Sequence, residues 1–294
     1  MPNSTHAPEL PVIFDCLGAR LLGIVHPGDP AAELGVLVVV GGPQYRVGSQ
    51  RQFILLARGL AAQSIPAMRF DARGMGDSEG QPPGFERINP DIGAAIDCFF
   101  AACPALKRVV LWGLCDGASA ALFYGYRDPR VKGLVLLNPW VFTEQGAAKT
   151  YLKHYYLQRL LSRNFWGKVF SFKFDYADSA ASLLNKLKQA AAPGEAAPTG
   201  KAAAGIDENL PLPARMRECL KCFEHPVLLI LSGRDLTAVE FKDAVAVDPG
   251  WQALLAEPRL DRRDLAEADH TFSTAAWRDQ VTSWTGEWLG GLRS

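Results

Sequence analysis

Three residues that do acyl chemistry together occur in this chain in the order thiol, carboxylate, imidazole. Cys115 lies in Gly113-Leu114-Cys115-Asp116-Gly117, between a β-branched run and a helical stretch. This is G-x-S-x-G with Cys in the Ser position, the pattern of a nucleophile on a strained strand-to-helix turn. Small residues two before and two after keep such a turn clear of its neighbours. The turn lifts the sulfur to the edge of a sheet, near a helix N-terminus whose dipole favours thiolate. The N–H of Asp116 is then placed to donate to an oxyanion. Asp235 follows the strand-like 227–231 through Ser232-Gly233-Arg234, and His270 lies in Ala268-Asp269-His270-Thr271-Phe272. A carboxylate on the loop after a strand can accept from His Nδ1–H and fix its tautomer. Asp235 also reads as an N-cap for a helix beginning near Thr237. The other four histidines, at 6, 26, 154 and 225, do not fall where a base would be needed.

These three residues need a scaffold that ends its strands at one edge, and the rest of the chain supplies the pattern. Strands are expected at 20–26, 36–40, 65–70, 108–112, 131–137, 226–231 and 259–265. Helices are expected at 50–63, 92–102, 116–126 and 277–289. Val36 to Val40 is a short run, β-branched apart from Leu37, of the kind buried on both faces of a parallel sheet. Strand–helix alternation predicts a mostly parallel sheet with helices on both faces and ligands at the carboxyl ends of the strands. The alternation stops after Pro139. Residues 1–139 and 211–294 are therefore expected to form the core domain, and 140–210 an inserted helical cap. The Ala-, Pro- and Gly-rich 190–205 is expected to be a flexible loop within it.

Composition narrows the function. Of 294 residues, 31 are basic and 31 acidic, so the net charge is zero, which argues against a nucleic-acid partner. Clean apolar stretches such as the five residues 36–40 are far short of the roughly 20 needed to span a bilayer. Residues 1–10 have no basic start and no apolar run, so no signal peptide is expected. Six cysteines, at 16, 98, 103, 115, 219 and 222, are expected to be reduced thiols. Cys219-x-x-Cys222 has no second pair and no nearby His pair, and reads as two helix-face cysteines. With no H-x-H or H-E-x-x-H, no metal and no cofactor are expected.

With these motifs in hand, the chain resembles the α/β-hydrolase superfamily over nearly its whole length. Asp71-Ala72-Arg73-Gly74-Met75-Gly76-Asp77-Ser78 is similar to the D-x-R-G-x-G-x-S turn of that superfamily. Asp71 and Arg73 are expected to brace the turn, with glycines taking positive φ. Residues 111–121 and the loop Gly41-Gly42-Pro43-Gln44-Tyr45-Arg46-Val47-Gly48-Ser49 more closely resemble the exosortase A system-associated hydrolases, type 1. That resemblance implies a bacterial cytoplasmic protein linked to exopolysaccharide and exosortase systems. Many superfamily members carry His-Gly after the early strand, where an N–H helps bind the oxyanion. Here Pro43 has no N–H, so the donor is Gly42 or Gln44, with Gln44 favoured.

The chemistry expected is covalent acyl transfer through Cys115, His270 and Asp235, with Asp116 and Gln44 or Gly42 as the oxyanion hole. Dienelactone hydrolases resemble this Cys–Asp–His arrangement, which points to activated esters, lactones and thioesters ahead of amides. The alternatives are an acyltransferase using the same covalent step and a non-catalytic binding protein on the same fold. From Lys149 to Lys188 eight basic residues outnumber two acidic ones, Asp175 and Asp178, among interleaved aromatics such as Tyr155, Trp166 and Phe172. Such a cap could receive an acyl-CoA or acyl-carrier thioester, or make peripheral contact with a membrane. It could equally be a lid with its own aromatic core.

Overall fold

The computed structural model describes residues 9–42, 44–141 and 206–293. The chain divides into two compact units, Met1–Val141 with Pro213–Ser294, and Phe142–Leu212. The cap expected over 140–210, its basic aromatic face and the 190–205 loop lie, apart from a few end residues, outside the described residues.

The first unit is built on one eight-stranded sheet in the order β1-β2-β4-β3-β5-β6-β7-β8. The strands are β1 (Leu10–Cys16), β2 (Ala19–His26), β3 (Leu34–Val39), β4 (Ala67–Phe70), β5 (Arg108–Leu114), β6 (Val131–Leu137), β7 (Val227–Arg234) and β8 (Leu260–Asp269). The β1–β2 and β2–β4 pairs are antiparallel, and every other pair is parallel. The helices are α1 (Gln52–Ala62), α2 (Asn89–Ala102), α3 (Asp116–Gly125), α4 (Leu212–Cys222), α5 (Leu236–Ala246), α6 (Pro249–Leu255) and α7 (Ala275–Arg293). None of them is long and apolar enough to cross a membrane.

Alternation along the central strands sorts the core into two layers. Val36, Val38, Val110, Trp112, Val135, Leu228 and Ile230 meet Phe53, Leu56 and Leu60 of α1 and Val281 and Leu289 of α7. The residues between them face the other way, where α2 and α3 lie. A Cβ on Gly35 would meet the Phe99 ring of α2 at 2.8 Å, and one on Gly125 of α3 would meet Leu134 at 3.0 Å. Burial on both faces explains why β3 is wholly buried. The sheet's outer strand β8 instead alternates and carries Arg262, Arg263, Asp261 and Asp264, charges that discourage further strand pairing.

Several expected boundaries shift, each for a local reason. The helix expected from residue 50 begins at Gln52, because Gln50 (φ 48°) and Arg51 (φ 63°) take left-handed backbone. Strands β5, β7 and β8 run past their expected ends to Leu114, Arg234 and Asp269. Helix α4 places Cys219 inside and Cys222 at the surface, as a helix face would. Strand β1 and helix α6 were not expected. Strand β1 mixes Pro11 and Asp15 into an exposed edge, and α6 is only seven residues long.

Candidate active site

Parallel pairing brings the carboxyl ends of β3, β5 and β6 level, with Val39 opposite Gly113 and Gly113 opposite Leu136. Cys115 follows directly on β5 and caps α3. Its backbone is strained, at φ 60° and ψ −127°. Close packing imposes that turn. A Cβ on Gly117 would lie 2.5 Å from the Val39 carbonyl oxygen, and one on Gly113 would collide with the backbone of Gly117. The turn is tied down by the Cys115 N–H donating to the Leu137 carbonyl (2.9 Å) and the Trp140 N–H donating to the Cys115 carbonyl (3.2 Å). Cys115 is half-buried, neither sealed in the core nor fully exposed.

Asp235 and His270 meet across the next pair of strand ends. Arg234 at the end of β7 pairs with Asp269 at the end of β8, past a register shift after Ser232. A Cβ on Gly233 would strike the backbone of Ala266, so the shift depends on glycine there. Asp235 Oδ2 lies 2.9 Å from His270 Nδ1. The same carboxylate accepts the N–H groups of Thr237 and Ala238 (both 3.1 Å), so Asp235 is the N-cap of α5 and the histidine's partner at once. Its bond to His270, and then the His270 hydrogen bond with Cys115, push the imidazolium pKa up to about 10 against the cost of burial. The imidazole thus responds to both the carboxylate and the thiol.

Asn138, immediately after β6, is a supporting residue that sequence reasoning passed over as a strand end. It is fully buried, with φ 42°. Its Nδ2 donates to the His270 carbonyl (3.1 Å), and its Oδ1 accepts the Ser232 N–H (2.9 Å). It therefore holds the histidine loop against the strand that carries Asp235. Asn tolerating left-handed backbone just after a strand was the available signal.

The expected oxyanion residues lie around the elbow. Asp116 opens α3, where backbone N–H groups lack intrahelical partners. Its side chain turns onto the loop after β3, and Oδ2 accepts the Gly42 N–H at 2.7 Å. Of the two loop donors considered, Gly42 is therefore engaged. Burial holds the Asp116 carboxyl above its ordinary pKa, while the N–H groups of Gly42 and Gly117 and the charge of His270 pull against it. Gln44 is half-buried, and its side-chain oxygen is buried with no hydrogen-bond partner among the described residues.

The Asp71–Ser78 turn braces this loop as well as itself. Asp71, fully buried, accepts the Arg46 N–H (2.6 Å), the Arg46 guanidinium and the Asp77 N–H (3.1 Å). Arg73 forks onto the fully buried Asp91 of α2, with Nε and Nη2 at 3.0 and 2.8 Å. Gly74 and Gly76 take positive φ, 69° and 51°. Among the described residues, no group of three or more His, Cys, Asp or Glu is placed to hold a metal ion.

Residues 35–236 match the hydrolase family described as serine aminopeptidase, S33. A 108-residue stretch is 36% identical to the thiohydrolase apmlB of Arthrinium phaeospermum, covering 33% of this chain and about a third (34%) of that protein. The fold is similar to that of the Pyrococcus furiosus esterase Pf2001, with TM-score 0.64 and 15% identity over 99% of this chain and 95% of the other. It is also similar to the α/β-hydrolase GrgF of a Penicillium species, with TM-score 0.58 and 16% identity over 96% and 97% of the two chains. The family's name speaks of serine, whereas this elbow carries Cys115. The chain has the α/β-hydrolase fold, and it belongs to the serine aminopeptidase, S33 family.

Proposed function

We propose that the chain is a cysteine hydrolase of ester or thioester acyl bonds, working through Cys115, His270 and Asp235. The observation that carries this reading is His270, bonded through Nδ1 to Asp235 at 2.9 Å, with its pKa raised first by that bond and then by Cys115 on the strained elbow. In the reaction, Cys115 Sγ attacks the acyl carbon and its proton resides on His270. The carbonyl oxygen becomes an oxyanion held by the Asp116 N–H and a donor from the loop after β3. Collapse breaks the bond to the leaving group, which takes the proton from His270. A water molecule then attacks the acyl-cysteine, giving its proton to His270, and the acid departs as the thiol is restored. Each oxyanion donor is worth about 2.7 to 4 kcal/mol of barrier.

Sulfur favours activated acyl groups, because a thioester intermediate is readily hydrolysed whereas an amide leaving group is hard to expel. The stretch shared with a thiohydrolase supports placing thioesters among the substrates. The basic and aromatic composition of 149–188 supports an anionic acyl carrier, such as an acyl-CoA. The resemblance of 41–49 and 111–121 to exosortase-associated hydrolases supports a role beside exopolysaccharide assembly.

The test is a panel of p-nitrophenyl esters and acyl-CoA thioesters run on the wild type, Cys115→Ala and Cys115→Ser. The reading expects loss of at least about 1,000-fold in kcat for Cys115→Ala, since the covalent step disappears. Full activity in that variant would remove it.

A further inference from the structure

The loop after β3 is pinned at two points by carboxylates that come from opposite sides of it. At one end, Asp116 of the elbow takes the Gly42 N–H at 2.7 Å. At the other, the buried Asp71 takes the Arg46 N–H at 2.6 Å and pairs with its guanidinium, while Arg69 Nη1 donates to the Arg46 carbonyl (3.2 Å). Gln44 lies midway between these anchors. The sequence makes room for the first anchor. A side chain on Gly41 would collide with Asp116 Oδ1, and Gly42 takes φ 61°. Between Gly42 and Gln44 stands Pro43, which has no N–H. The loop's remaining donor therefore falls at Gln44, whose side-chain amide ends in a buried atom without a partner among the described residues. Amide oxygen and nitrogen exchange places by a simple flip, so this end can equally present a donor.

We propose that Asp116 is a positioning residue of the acyl site: its carboxylate takes the Gly42 N–H, fixes the loop, and passes the loop's share of the oxyanion hole to the side-chain amide of Gln44. This rests on the cysteine-hydrolase reading above. The bond matters here and the charge does not. An amide at position 116 still offers Gly42 an acceptor oxygen, whereas a methyl group does not.

The experiment compares Asp116→Ala, Asp116→Asn, Gln44→Ala and Asp116→Ala/Gln44→Ala in Cys115-dependent hydrolysis. It also records the Gly42 amide resonance of each full chain by two-dimensional NMR. Asp116→Ala should lower kcat by about 10- to 100-fold with KM within about threefold, because an oxyanion donor acts on the transition state. Asp116→Asn should restore kcat to within about threefold of wild type. The double variant should fall little below Gln44→Ala alone, since Gln44→Ala removes the same side-chain amide donor that Asp116→Ala misplaces. The Gly42 amide should lie downfield in the wild type and in Asp116→Asn and move upfield in Asp116→Ala. Undiminished kcat in Asp116→Ala would overturn the proposal. So would loss in Asp116→Asn as deep as in Asp116→Ala, or independent multiplication of the Asp116 and Gln44 effects. An unmoved Gly42 resonance would also overturn it, whatever the activities. Failure of the hydrolase reading shows separately, as activity that survives Cys115→Ala while the Gly42 resonance still follows residue 116.

Discussion

His270 is the residue on which the local electrostatics converge. Its pKa is raised from 6.5 to about 10, first by the Asp235 bond and then by Cys115. A group raised in the folded state lends stability that is complete below about pH 6.5 and is lost as pH rises toward 10. The imidazole resonances should titrate near 10 in the wild type, and Asp235→Asn should bring the midpoint down, as followed by NMR. A midpoint left unchanged by Asp235→Asn would mean that the 2.9 Å contact does not set the proton's position. Asp235→Ala has a second cost, because it also uncaps α5, typically about 1 kcal/mol of stability. Asp235→Asn keeps an acceptor for the cap and so separates the two roles. Asp235 thus occupies both places that the sequence offered it, as N-cap of α5 and as hydrogen-bond partner of His270.

At the scale of elements, the site depends on where strands stop and what their last residues allow. Gly113 and Gly117 had a visible reason in sequence, the glycine spacing of the elbow, and their crowding against α3 and β3 shows what that spacing is for. Gly117→Ala should cost at least about 2 kcal/mol, read as a lower denaturant midpoint, because its Cβ meets backbone that cannot move aside. The role of Asn138 was not legible, because its two partners, Ser232 and His270, are 94 and 132 residues away and only the sheet order brings them together. Asn138→Ala leaves the Ser232 N–H without its buried acceptor. It should destabilise by about 1 to 3 kcal/mol and lower kcat more than it raises KM. Wild-type kcat in that variant would show that His270 needs no such support. The engagement of Gly42 by Asp116 escaped sequence reading for the same reason. Nothing in G-G-P-Q foretells that a residue 74 positions on will claim its N–H.

Across the whole molecule, alternation of strand and helix signals was sufficient to foresee a mostly parallel sheet covered on both faces. The antiparallel edge of β1 and β2 was hidden by its exposed, mixed composition. Beneath that edge lies a buried polar cluster with consequences for the entire fold. His26 is 2% exposed and accepts the Arg69 Nε–H on its Nε2 at 3.1 Å. Burial and the neighbouring Arg69 charge lower its pKa from 6.5 to about 4. The unfolded chain therefore takes up a proton between those values that the folded chain refuses, and stability falls as pH drops through that window, by up to about 3 kcal/mol. His26→Gln keeps an acceptor without a titration, so its melting temperature should fall less than the wild type's between pH 6.5 and 4.5. The most direct measurement of the central claim is intact-protein mass spectrometry of the full chain, quenched in acid soon after mixing with an activated acyl ester. The account predicts one transient acyl adduct per chain, mapped to the peptide carrying Cys115, decaying as the free acid appears and absent from Cys115→Ala. Product formed at the wild-type rate by Cys115→Ala, with no adduct on residue 115 of the wild type, would contradict it.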